Sequence, residues 1–81
     1  MSRDEKLLQK MRQSPRNVRF EELDGFLKRE GFESRQRGTS HVVYKRPGMR
    51  LTVARPHGGK KTVDKRAIAE VLEKLGPELK E

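Results

Sequence analysis

This 81-residue sequence contains no cysteine and no tryptophan, and aromatic residues make up only 5% of it. Without cysteine the chain has no disulfides, no cysteine-based metal site and no cysteine nucleophile. The chain has two histidines, His41 and His57, and one acid near them in the sequence. These three side chains cannot fill a metal coordination shell by themselves. We therefore expect neither a metal nor another cofactor.

Long apolar runs are also missing. No stretch approaches the roughly 18 apolar residues of a membrane-spanning helix, and the N-terminus, with Asp4 and Glu5 and no apolar segment, does not resemble a signal peptide. We expect a cytoplasmic protein that does not enter a membrane. Hydrophobic residues are 31% of the chain and charged residues 40%, so the core must be thin. The apolar residues nevertheless recur at regular spacing, which indicates a folded domain.

Positive charge is in excess, and it is concentrated in the middle of the chain. Residues 34–66 carry a net charge of +9, the remaining residues carry −1, and the whole chain carries +8. The cations of this segment are Arg35, Arg37, Lys45, Arg46, Arg50, Arg55, Lys60, Lys61, Lys65 and Arg66. Such segregation is typical of a surface that faces a polyanion, with an ordinary solvated surface as the alternative.

The spacing of apolar residues predicts three helices. A short helix covers residues 1–13 and ends before Pro15. It either docks on the domain through its apolar side chains or serves as an arm for a partner. A second, amphipathic helix occupies residues 20–31, with a glycine at its end. A third follows the central basic segment, and its start is capped by Thr62 or Asp64.

Three strands are predicted between the second and third helices. They cover residues 33–37, 40–45 and 49–54, and turns at Gly38 and at Pro47-Gly48 separate them. The short connections make this an antiparallel meander. The fold class is α+β, a three-stranded antiparallel sheet with helices on one face and the other face open to solvent.

His41 stands where a glycine turn feeds the second strand. RNA cleavage without a metal needs a group that takes the 2′-hydroxyl proton and a group that protonates the leaving oxygen, and histidine in general has a pKa suited to both. Alternation puts His41 on the same face as Val43 and opposite Val42, and the pattern does not decide which face packs against the helices. From composition alone, an ordinary surface histidine is the simpler interpretation.

The loop before the third helix holds the other histidine. His57 lies next to a glycine pair followed by Lys60 and Lys61. Backbone N–H groups, the helix dipole and two lysines would suit a phosphate there. The spacing differs from that of a P-loop, so a nucleotide site is not predicted.

Several segments between residues 18 and 75 together resemble a known family. They are Glu30-Gly31-Phe32-Glu33, Arg35-Gln36-Arg37-Gly38-Thr39-Ser40-His41, Tyr44 with Arg46-Pro47-Gly48, Leu51-Thr52-Val53 with Arg55-Pro56-His57, and the final amphipathic helix. The sequence resembles the small HicA toxins, also called the YcfA family, of bacterial type II toxin–antitoxin systems.

The resemblance implies a double-stranded-RNA-binding-domain-like α-β-β-β-α fold and metal-independent cleavage of mRNA. It also implies inhibition by a HicB-like antitoxin, with a monomer when free and a hetero-oligomer with the antitoxin. The family motif is Gly-Ser-His-His, and His41 falls on a motif histidine whether the glycine or the Ser-His pair is aligned. We assign residues 1–16 to an N-terminal helical extension and residues 17–81 to a single HicA-like domain.

The resulting hypothesis is a ribonuclease toxin in which His41 transfers a proton during attack by the 2′-hydroxyl. Ser40 or Tyr44 would orient its imidazole, and His57 is the candidate for the second proton transfer. The predicted RNA-binding residues are Arg37, Ser40, Lys45, Arg50 and Arg55 along the sheet, and His57, Lys60, Lys61 and Arg66 near the last helix. One alternative is a non-catalytic module that binds RNA through the same basic face. Another is a basic face that docks an acidic protein.

Overall fold

The computed structural model describes residues 3–38, 40–56, 59 and 61–76, with the side chains of Arg3 and Asp4 left out. The elements are α1 (Arg3–Gln13), a 3₁₀ turn (Pro15–Asn17), α2 (Phe20–Arg29), β1 (Glu33–Arg37), β2 (His41–Arg46), β3 (Met49–Ala54) and α3 (Lys65–Leu75). This order confirms the predicted α+β class with an additional helix in front. No helix in the described ranges is both long and apolar enough to cross a membrane.

The three strands form an antiparallel sheet in the order β1-β2-β3. Both hairpin turns depend on a glycine with positive φ, 64° at Gly38 and 80° at Gly48. Pro47 precedes the second of these glycines and fixes the backbone for a tight turn. These are the turns that the sequence predicts.

Only one face of the sheet packs against the helices. The buried residues on that face are Val42, Tyr44, Leu51 and Val53. The opposite face is open, and its exposed residues include His41, Lys45, Arg50 and Thr52. The strand alternation that the sequence left undecided is therefore settled, with His41 on the solvent side.

The second helix ends as its glycine predicts. The N–H of Phe32 donates to the carbonyl of Leu27 at 3.0 Å, and the N–H of Gly31 donates to the carbonyl of Lys28 at 3.1 Å. Gly31 has a φ of 92°. This pair of bonds is a Schellman motif, in which the residue after the glycine turns back onto the helix. Phe32 is buried in the same hydrophobic cluster as the apolar residues of α2.

The starts of α2 and α3 lie side by side. The N–H of Val63 donates to the carbonyl of Val18 at 2.8 Å, and the N–H of Phe20 donates to the carbonyl of Lys61 at 3.1 Å. Asp64 caps α3 by accepting the backbone N–H of Arg66 at 2.8 Å. Of the two predicted caps, Asp64 is therefore correct.

The first helix docks on the domain. Leu7, Leu8 and Met11 are buried in the same hydrophobic cluster as the sheet, and Lys10 Nζ lies 2.9 Å from Glu22 Oε1 on α2. Burial raises the pKa of Glu22, but the Arg19 backbone N–H and the Lys10 ammonium outweigh it and lower that pKa below its ordinary value. An undocked arm is excluded, whereas the division at residues 16 and 17 stays a prediction.

Tyr44 connects the centre of the sheet to α2. Its side chain is 0% exposed, and its hydroxyl donates to Asp24 Oδ1 at 2.7 Å. Burial, the hydrogen bond and the negative charge of Asp24 raise the pKa of Tyr44 well above its ordinary value. The other oxygen of Asp24 pairs with Lys28 Nζ at 3.0 Å.

The raised pKa of Tyr44 predicts a loss of stability in alkali. Below the unfolded-state pKa of about 10 the protonated hydroxyl contributes its full stability, which is lost as the pH rises towards the higher folded-state pKa. Tyr44 is the only tyrosine and tryptophan is absent, so tyrosinate absorbance reports this residue alone. We expect ionisation near pH 10 in urea and at clearly higher pH in buffer.

The control is Tyr44→Phe. Losing the hydrogen bond to Asp24 should lower the free energy of unfolding by about 1 kcal/mol at neutral pH. Because phenylalanine does not ionise, the free energy of unfolding of the variant should also fall less between neutral and alkaline pH than that of the wild type. Equal ionisation midpoints in buffer and in urea would contradict the buried hydrogen bond.

Candidate nucleic-acid interface

His41 is the first residue of β2 and projects from the open face. In the register it lies between Arg37 of β1 and Ala54 of β3, and its side chain is exposed. The Oγ of Ser40 is 3.4 Å from Nδ1 of His41, at the long end of the hydrogen-bond range. This contact leaves the other ring nitrogen turned away from the serine.

The predicted role of Tyr44 in orienting this imidazole is wrong. Tyr44 lies on the helix-facing side of β2, and its hydroxyl is bonded to Asp24. Because successive side chains of a strand point to opposite faces, Tyr44 and His41 are separated by the sheet. Of the two residues proposed to orient the ring, only Ser40 lies beside it.

The open face is lined with cations around a buried valine. The residues around a shallow depression of about 330 Å³ are Glu33, Ser34, Arg35, Arg37, Val43, Lys45 and Arg50. Val43 is only 7% exposed although it lies on the solvent side, because the long stems of the basic side chains around it exclude water. Four cations and one acid thus share the open face with His41, and Arg37 pairs with it in the register.

Arg35 belongs to this face but was not among the predicted RNA-binding residues. It pairs in register with Val43, one step along the face from the pair of Arg37 and His41. The alternation of Glu33, Arg35 and Arg37 along β1 was the signal that could have identified it, because residues two apart share a face.

Arg55 was expected to extend the sheet surface, and the structure corrects this position. Arg55 follows β3, and because side chains alternate along a strand its side chain points to the helix side, as that of Val53 does. Its guanidinium lies 5.0 Å from the centroid of the Phe20 ring. Its backbone N–H donates to the carbonyl of Ser40 at 2.7 Å. Arg55 therefore belongs to the helix side and does not share a surface with His41.

Lys61 and Arg66 line grooves other than the depression on the open face. Lys61 lines a groove of about 690 Å³ between α2 and the underside of β1. Arg66 lines a second groove of about 600 Å³ at the start of α3, together with Arg16 and Lys65. Its Nε is 3.9 Å from Asp64 Oδ1 and its side chain is 89% exposed, so this pair contributes little to stability.

The predicted site residues thus divide into two groups. The open face brings together Arg37, His41, Lys45 and Arg50, with Ser40 at its end. Arg55, Lys61 and Arg66 line the grooves beside the helices. His57 and Lys60 lie outside the described residues. Within the described part of the chain, no group of three or more His, Asp or Glu side chains could hold a metal ion.

A comparison with protein families decides to which family this fold and site belong. The family model described as the HicA toxin of bacterial toxin–antitoxin matches residues 20–76, more than half of the chain. The chain belongs to the HicA toxin family. The match includes α2, the whole sheet with His41, and α3, while α1 precedes it. Neither a curated protein nor a solved structure matches the chain significantly.

Membership of the HicA family confirms the resemblance seen in the sequence. It makes the chain a toxin of a toxin–antitoxin pair, and such a pair implies a cognate antitoxin as its protein partner. The part of the chain that carries the membership is also the part that forms the open basic face.

Proposed function

We propose that this HicA toxin is a cytoplasmic endoribonuclease that cleaves mRNA, with His41 as its catalytic residue. The observation that carries the proposal is the position of His41, exposed on the cationic face of the sheet within the family-matched segment. An exposed imidazole opposite an arginine, on a face with further cations, suits a reaction in which a proton moves while negative charge develops on a phosphoryl group.

The reaction would proceed through the RNA itself. The 2′-hydroxyl attacks the adjacent phosphorus, a bond from 2′-oxygen to phosphorus forms, and the bond to the 5′-oxygen breaks. His41 takes the proton of the 2′-hydroxyl, and a second group donates a proton to the leaving 5′-oxygen. The products are a 2′,3′-cyclic phosphate and a 5′-hydroxyl. His57, the other histidine of the chain, is the candidate for the second group.

The residues around His41 have separate roles in this proposal. Arg37 lies directly opposite His41 in the register, where side chains of neighbouring strands are within contact distance. It would offset the charge that builds up on the phosphoryl oxygens. Ser40, 3.4 Å from Nδ1, would orient the ring so that Nε2 faces the substrate. Lys45 and Arg50 would bind neighbouring phosphates.

A second candidate function is RNA binding without cleavage. One observation favours it: within the described ranges, no second histidine accompanies His41 on the open face, whereas the cleavage reaction needs a second proton-transfer group. The cations alone would suffice to hold phosphates. The two functions differ in whether any cleaved product forms.

Replacing His41 tests the proposed catalysis. We expect His41→Ala to lower the rate of cleavage of a defined mRNA by about 10² to 10⁴-fold, the usual contribution of a general base or acid. RNA affinity should change by only a few fold, and expression should no longer arrest growth. The wild-type product should carry a 2′,3′-cyclic phosphate.

The matched control for this experiment is Thr52→Ala. Thr52 is exposed on the same face and has no role in the proposed chemistry, so cleavage should be retained. Equal rates for wild type and His41→Ala would exclude His41 as the catalytic residue. Binding without any product from the wild type would favour the second candidate.

The salt dependence of RNA binding tests which side of the sheet binds the RNA. Each phosphate contact to single-stranded RNA contributes about 0.7 to the slope of log affinity against log salt concentration. Arg37→Gln and Lys45→Gln should each reduce the slope by about that amount. Lys6→Gln on α1 is the control and should leave it unchanged. A reduced slope in Arg66→Gln but not in the open-face variants would place the RNA on the helix side.

A further inference from the structure

β1 differs from the other two strands in being exposed on both faces. All five of its residues are exposed, whereas β2 and β3 each bury at least two side chains. In the described part of the chain it pairs with β2 alone. Its outer edge therefore presents backbone groups that have no partner strand.

The hydrogen-bond pattern of the sheet shows how these groups are directed. The N–H of Arg55 donates to the carbonyl of Ser40 at 2.7 Å, so Ser40 directs its backbone groups towards the β3 side. Direction alternates along an antiparallel strand, so His41 directs its backbone groups towards β1 and bonds with Arg37.

The same alternation runs along β1. Arg37, Arg35 and Glu33 bond inward to β2, and the residues between them, Ser34 and Gln36, turn their N–H and C=O groups outward. Within three residues the edge thus offers two outward donors and two outward acceptors. Neither Ser34 nor Gln36 carries a charge on its side chain.

The other edge of the sheet is covered at one end. Lys74 of α3 donates its ammonium to the backbone carbonyl of Arg50 at 2.9 Å. By the same alternation this carbonyl points away from β2, so the lysine covers the outer edge of β3 at Arg50. Natural proteins use lysine in this way to prevent a further strand from adding. The β1 edge is therefore the better candidate for adding a strand.

The two sides of the β1 edge define the chemistry of a strand that would fit there. On the helix side, Ser34 and Gln36 border the groove of about 690 Å³, whose lining combines charged residues of both signs with the apolar Phe20, Val42 and Pro56. On the open side lie Arg35 and Arg37. An added strand would therefore place acidic side chains towards the arginines, and its alternate side chains would face the groove, where apolar ones would contact its apolar residues.

We propose that the β1 edge binds an acidic β-strand of the antitoxin, which extends the sheet as a fourth strand next to β1. Backbone hydrogen bonds to Ser34 and Gln36 supply the attachment, and the alternation of acidic and apolar side chains supplies the specificity. Acidic side chains over Arg35 and Arg37 neutralise the cations nearest His41. The strand thereby prevents RNA binding, a consequence that rests on the proposed function.

A second copy of this chain fits the same edge less well. Antiparallel pairing of two β1 strands about their centre would set Arg35 against itself across the two-fold axis, and like charges directly opposite destabilise a strand pair. It would also bring together two chains of net charge +8. Charge therefore favours an acidic partner over self-association.

The test uses a short capped peptide in which glutamate alternates with valine. Its affinity is measured by NMR titration of the wild type, Gln36→Pro and Gln36→Ala. Proline at this position removes one outward N–H without removing a bond to β2, as edge strands tolerate. We expect Gln36→Pro to weaken binding about tenfold, the cost of leaving one hydrogen-bond partner unsatisfied. Gln36→Ala should bind as the wild type does.

Three controls make the result decisive. Thermal unfolding shows whether the Gln36→Pro variant is folded. If that variant is unfolded, Ser34→Pro, which removes the other outward N–H, is used in its place. A peptide with lysine in place of glutamate should not bind. In the wild type, the Ser34 and Gln36 amides should exchange more slowly with solvent when the peptide is bound.

Three results would overturn the proposal. They are absence of binding to the wild type, equal weakening in the proline and alanine variants, and a peptide-free dimer in sedimentation that Gln36→Pro abolishes. The last result would assign the edge to a second copy. Peptide binding with the expected pattern in a protein that cleaves no RNA would uphold the docking site and refute the ribonuclease.

Discussion

The packing of Val42 and Tyr44 against the helices is the constraint on which the rest of this structure depends. Side chains alternate along a strand, so burying these two residues turns His41 and Lys45 to the solvent. The hydrogen bond from Tyr44 to Asp24 at 2.7 Å fixes the register further. A slip of one residue would bury His41 and expose the tyrosine. The same contacts that form the core therefore place the imidazole on the basic face.

The core that holds this arrangement is thin, and α1 is part of it. A chain of this length buries only about 60 to 65% of its unfolded surface, so each apolar side chain counts. Leu7, Leu8 and Met11 join the cluster that includes the sheet and α3, although α1 precedes the family-matched segment. The ion pair between Lys10 and Glu22 anchors the helix to α2. In this toxin α1 therefore stabilises the domain that carries the site.

Local signals in the sequence predicted the order of the elements and where they end, because a glycine with positive φ, a proline turn or a capping aspartate acts within a few residues. The orientation of β2 was not predictable in this way. Val42 and Val43 are both apolar, and Val43 is buried on the open face by the stems of neighbouring cations. The position of Arg55 depends on the stacking of its guanidinium on Phe20, a contact between distant segments. The undecided orientation of β2 and the wrong position of Arg55 both concern tertiary packing, which a one-dimensional pattern does not contain.

The distribution of charge along β1 explains how an edge strand can be strongly basic and still accept another strand. Charged residues on an edge usually discourage pairing. Here the charges belong to Glu33, Arg35 and Arg37, whose backbone groups already bond to β2. The outward backbone groups belong to Ser34 and Gln36, which are neutral. The arginines are therefore free to select the partner by charge, and a polyanionic strand of RNA and an acidic strand of protein would compete for the same side chains.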